Sequence, residues 1–229
     1  MIVRPINVLL DPNNTFASIA RHPTWIAPLL ILMLLGGLAS TLTFGKIDAA
    51  QAVREQFAAQ GRTADQEQID QGVTFFENLR GVAALITVLG FPLIMMLVAL
   101  VFWFAFELAG QEIDYGTSLS VTLLSMMPMA VASLLTLPVI LSRDSITARE
   151  VMSGNVLISN LSFLASSDAA PASVAFLSSI DLFSLWTAVL LVIGYRTATK
   201  SSTAKACAVV SLVWLSYVSI KIGVQALQF

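Results

Sequence analysis

Uncharged apolar runs alternate with short polar joints along this chain, and several runs have the length of a bilayer crossing. The first, at about 25–44, carries no charge. The stretch before it is too long for a secretory leader and contains Asp11, so the run reads as a retained span. The second, 81–106, is bounded by Arg80 and Glu107, with Trp103 near its end as an interfacial anchor. The third, 117–141, is rich in Ser and Thr and interrupted by Pro128 and Pro138, where kinks are expected. The fourth, 174–195, contains one charge, Asp181; the fifth, 204–228, has Lys205 near its start and Lys221 well inside. The pattern predicts an all-α fold: a polytopic membrane helical bundle with about five transmembrane helices, one domain over 1–229, and termini on opposite sides.

The polar joints differ in kind. The segment 45–80 holds four basic and six acidic residues, yet Ile69, Val73 and Phe76 recur at helical spacing. Thr63 followed by Gln66 has the form of a capping box. A helix running on into the second span is the expectation. The joint 143–171 is apolar but broken by Asn155, Ser159, Asn160 and Asp168, which reads as interfacial or re-entrant. Ahead of the first span, Asp11 followed by Pro12 is an N-cap with proline at the first helical position. Phe16 and Ile19 form the apolar face of the short helix that follows, and the expectation is that it lies in the headgroup region.

Composition sharpens the membrane reading. Of 229 residues 57% are apolar and only 11% charged, with a mean hydropathy of +0.83, whereas a soluble domain carries about 25% charged residues. A net charge of −2 excludes the basic surface that tracks phosphates, so no nucleic acid is expected as a partner. One Cys and one His exclude an internal disulfide and multi-cysteine or histidine-rich metal sites, and no cofactor is implied. The motifs of membrane-embedded enzymes are missing: there is no H-E-x-x-H, nucleophile elbow, phosphate loop or pair of Asp residues in two spans. Ser153, beside Gly154, has no histidine base. A non-enzymatic role is the expectation.

Three features remain as candidate sites. Gly36 and Ser40 lie four apart on one face of the first span, where small residues admit a neighbouring helix. Counting outward from the turn near Thr199 and Lys200 puts Asp181 and Lys221 at similar depth on neighbouring antiparallel helices, which predicts an intramembrane ion pair. Ser118, Ser120, Thr122, Ser125, Ser133 and Thr136 offer either a polar path through the third span or hydroxyls for helix packing. Orientation follows the basic residues: three in the short joint 196–205, with Arg4 and Arg21 on the same side, make that side cytoplasmic. The four basic residues of 45–80 pull the other way.

Leu10-Asp11-Pro12-Asn13-Asn14-Thr15-Phe16 with Ile19 and Pro23, then Phe106-Glu107-Leu108-Ala109-Gly110, then Tyr115-Gly116-Thr117-Ser118-Leu119 are short stretches in an order and spacing that resemble the Yip1 domain family in its prokaryotic form, across nearly the whole chain. Ser179-Ile180-Asp181-Leu182-Phe183-Ser184-Leu185-Trp186 is similar to the family's most recognisable segment, and Gly194-Tyr195 and Lys205-Ala206 follow in order. The resemblance implies five spans with a cytoplasmic N-terminus, here in the bacterial inner membrane. It also implies a membrane-organising or trafficking-related adaptor, whose partners would be the lipid bilayer and another protein or a second copy. Eukaryotic members are linked to Rab-type GTPases. This chain has few residues before the first span and Ser184 where those members tend to have Gly-Pro, and both departures argue against Rab binding. The alternative is a small transporter or channel with a polar path through the third span.

Overall fold

Side-chain caps from Asp11, Asp65, Asp114, Thr147 and Asp181 set where the helices after them begin, whereas the helices starting at Ile26, Met127 and Pro171 have no side-chain cap. In the computed structural model, which describes residues 3–59, 61–166 and 169–227, Asp11 accepts from Asn14 N and starts α2, with Pro12 at the first helical position. Asp114 accepts from Thr117 N and starts α6. The elements in chain order are α1 (Val3–Leu10), α2 (Pro12–Ile19), α3 (Ile26–Gly45), α4 (Ala49–Ala59), α5 (Gln66–Leu108), α6 (Tyr115–Ser125), α7 (Met127–Leu141), α8 (Ala148–Ser153), α9 (Pro171–Ser179), α10 (Leu182–Thr199) and α11 (Thr203–Leu227), with a 3-10 turn at Leu161–Leu164. Among the described residues the only extended pairings are two isolated bridges.

Among the described residues five stretches are long and apolar enough to cross a membrane: Ile26–Gly45, Leu89–Leu108, Tyr115–Leu141, Leu182–Thr199 and Thr203–Val224. Their outward faces carry exposed Leu, Ile, Val and Phe, as lipid-facing helices should. Alternating crossings give the bundle two ends. At the near end, Arg196 donates to Asn13 Oδ1 at 3.0 Å and Lys205 reaches Ala109 O at 3.4 Å. At the far end, Lys46 donates to Arg143 O at 2.7 Å and Arg80 to Ile47 O at 3.1 Å.

The second span does continue a helix from the polar segment, as expected: α5 runs unbroken for 43 residues through Pro92, roughly 65 Å at 1.5 Å per residue. That is about twice the hydrocarbon thickness, so its first half projects at the far end. There α4 packs against it. Val53 and Ile69 are buried between the two, and a Cβ at Gly72 would sit 2.6 Å from Val53 Cγ2. The cap differs from expectation. Asp65 and Gln68 form the capping box, not Thr63 and Gln66, because the helix starts where an acidic side chain can accept the third N–H.

Two spans are interrupted. The third breaks at Met126, and Pro128 lies within the first two residues of α7, where its missing N–H costs nothing; Pro138 is accommodated within the helix. The fourth does not run continuously over 174–195. Ile180 N bonds back to Leu177 O, α9 ends, and α10 starts afresh at Leu182. Residues 159–161 cause the break by pairing with 180–182: Leu161 N donates to Ile180 O and Leu182 N to Ser159 O. Asp168 and the last residue of the fifth predicted span lie outside the described residues.

Candidate functional site

At the near end a buried polar hub ties three spans together. Tyr195, fully buried on α10, places its hydroxyl 2.6 Å from Ser118 Oγ and 2.9 Å from Thr122 Oγ1 on α6. Ser118 Oγ also donates to Ala99 O on α5 at 2.9 Å. The Tyr195 ring stacks on Phe106 with centroids 4.4 Å apart and 8° between planes, and lies tilted against Phe102 at 5.3 Å. A phenol in an apolar core needs a partner for its hydroxyl. Here two hydroxyls and a carbonyl close the network.

The tail helix completes this hub. Phe16 and Ile19 on α2 are fully buried, and a Cβ at Gly194 would lie 2.7 Å from Val121 Cγ1 and 2.9 Å from Phe16 Cε1. The apolar face of α2 is therefore covered by α10 and α6. Phe16 and Ile19 do need burial, but protein supplies it where lipid was expected. Arg4 donates to His22 O and Thr24 Oγ1, tying α1 to the entry of α3.

At the far end the Asp181–Lys221 ion pair is replaced by two separate arrangements. Asp181 is the N-cap of α10, accepting from Phe183 N and Ser184 N, both at 2.9 Å, and from the Ser159 hydroxyl. Lys221 donates to Ser178 Oγ at 2.8 Å and Ser179 Oγ at 3.1 Å, at the carboxyl end of α9, where a cation is favoured. The two residues meet the same interruption from opposite sides. Once the helix breaks, the carboxylate has backbone N–H donors of its own and needs no cation. The sequence held a signal for this, since Asp before an apolar run is an N-cap pattern, but a charge inside an apolar block drew the reading toward a buried pair.

Gly36 and Ser40 are half-buried on α3, where Leu32, Ala39 and Thr43 are buried. A Cβ at Gly36, however, meets nothing within 4 Å, so no helix approaches at that point among the described residues. Ser120, Ser133 and Thr136 bond back to the carbonyl four residues earlier. Ser125 Oγ and Thr187 Oγ1 are buried without partners. Ser153 Oγ likewise turns to Glu150 O. Among the described residues no group of three His, Cys, Asp or Glu side chains is placed to hold a metal.

The joint 142–166 is organised by Glu150. It pairs with Arg143 at 2.6 Å and accepts from Thr147 N and Oγ1 in a capping box. The Thr147 N–H holds its carboxyl below the ordinary carboxylate range, with Arg143 adding to the effect. Asn160 accepts from Ser162 N and donates to Ser153 O and Gly154 O, so this joint is a bonded layer over the far end.

No curated protein and no solved structure matches the chain. The family model described as Yip1 domain matches residues 6–221, a range that takes in the tail helix with Phe16, the Gly194-Tyr195 hub and the Asp181 cap. With five apolar helices arranged as a multi-pass bundle, the chain belongs to the Yip1 domain family.

Proposed function

We propose that this protein is a non-enzymatic membrane-organising or trafficking adaptor of the bacterial inner membrane, with the near end in the cytoplasm. The observation that carries this reading is where its polar chemistry is spent. Of the six third-span hydroxyls that would line a path, all but that of Ser125 are engaged with Tyr195 or with their own helix backbone. Such bonds rigidify a bundle and do not solvate a passing ion. The ordered surface lies outside the spans instead, above all in the α4/α5 hairpin, where Phe75 is 64% exposed. An exposed aromatic on a projecting helix suits a protein contact.

Two measurements on the full chain test this. In reconstituted liposomes, potassium and proton flux should equal that of protein-free vesicles; flux above that level would favour the transporter reading and overturn this one. A photo-crosslinking side chain at position 75 in living cells should give a discrete adduct, either with another protein or with a second copy. Only dispersed lipid adducts there would count against an adaptor working through the hairpin.

A further inference from the structure

We infer that a cleft between the last turns of α3 and the middle of α5 binds the phosphate of an anionic membrane phospholipid. Arg80, Ser40, Thr41 and Phe44 line it, as a shallow cleft open to its surroundings. Arg80 Nη2 is committed to Ile47 O, but Arg80 Nε is buried and has no hydrogen-bond partner. A guanidinium carries five donors in a fixed fork and cannot shed its charge. Left beside apolar helices with one donor unmet, it is a costly arrangement unless an anion completes it.

Among the described residues the chain does not supply that anion. The only ion pair among them is Arg143–Glu150, so Glu77, one turn before Arg80 on α5, is not in ion-pair contact with it. The cleft does supply further donors. Neither the Ser40 nor the Thr41 hydroxyl bonds to another group among the described residues, whereas Thr43 nearby bonds back to Ala39 O. One guanidinium edge and two free hydroxyls match a phosphate with several acceptor oxygens. Phe44 offers an apolar wall for the glycerol and upper acyl carbons. The location commits the source: the cleft lies where α3 leaves the bilayer, at headgroup depth on the far side.

The test is native mass spectrometry of the purified full chain in mild detergent, titrated with phosphatidylglycerol, phosphatidylcholine and, separately, inorganic phosphate. One phosphatidylglycerol should be retained in preference to phosphatidylcholine, and roughly tenfold more weakly in Arg80→Gln, the effect of losing a charge-assisted hydrogen bond. Because Arg80→Gln also loses the Ile47 bond, Ser40→Ala with Thr41→Val serves as the second variant. It should keep the melting temperature of the lipid-free protein while weakening phosphatidylglycerol retention severalfold. Equal retention by the wild type and both variants would overturn the site. Displacement of phosphatidylglycerol by millimolar inorganic phosphate would overturn the lipid as its occupant.

Discussion

Tyr195 and Gly194 are adjacent, and between them they set two kinds of contact. Tyr195→Phe keeps the stack on Phe106 and Phe102 but withdraws the hydroxyl from Ser118 and Thr122. Ser118 retains Ala99 O, while Thr122 loses its cross-helix partner. The expected cost is about 1–2 kcal/mol, read as a lowered melting temperature in detergent; an unchanged value would show that the hub is dispensable. Gly194→Ala forces a methyl against Val121 and Phe16 and should cost about 1–3 kcal/mol by overpacking. Gly36→Ala, by contrast, should leave stability within about 0.5 kcal/mol, since the new methyl enters open space. Spacing alone made Gly36 and Ser40 the packing pair and passed over Gly194. A glycine's role depends on what faces it, and the partner of Gly194 is Phe16, distant in sequence and brought there by the tail helix.

Among elements, the capped start of α2 was readable from Asp11-Pro12, whereas the break between α9 and α10 was not: Asp181 is its one local mark, and a lone charge inside an apolar run reads equally as a buried ion. That break is imposed by residues 159–161 pairing alongside 180–182. Asp181→Ala should remove the α10 cap and the Ser159 tie together, costing about 1–2 kcal/mol, whereas Asp181→Asn should recover much of it, because an amide oxygen still caps. Equal losses would mean that the charge itself matters, as an ion pair would require. The joint held by Glu150 has its own pH signature. Its carboxyl is held below the ordinary range when folded, so its contribution is present above the unfolded value of about 4.3 and is lost as pH falls through the lowered one. With both partners a third exposed, the effect is small and local. Amide protection at 147–154, corrected for the intrinsic exchange rate at each pH, should fall as the Glu150 carboxylate is protonated on acidification, and Glu150→Gln should show the lowered protection already at neutral pH.

At the scale of the molecule, five apolar runs and their order were legible because lipid imposes one rule on every crossing helix: bury the backbone, expose apolar side chains. Orientation is harder, since it depends on how basic residues divide between the ends. The near end gathers Arg196, Lys200 and Lys205 within ten residues of short joint, with Arg4 and Arg21 beside the first span. The far end holds Lys46, Arg54, Arg62 and Arg80 in its hairpin segment and Arg143 and Arg149 in the joint after the third span, but the hairpin helices extend well beyond the apolar span and Arg143 is paired with Glu150. Charges close to span ends in short joints weigh most, so the near end should be cytoplasmic. The single native cysteine, Cys207, is exposed on α11 and must first be replaced by Ser. In that background a cysteine at Ser201 reports the near end, and one at Glu67, exposed at the start of α5, reports the far end. A membrane-impermeant maleimide applied to cells with a permeabilised outer membrane should label position 67 and leave position 201 unlabelled until the inner membrane is opened. The reverse pattern would invert the protein, place the hairpin in the cytoplasm and move the Arg80 cleft to the inner leaflet.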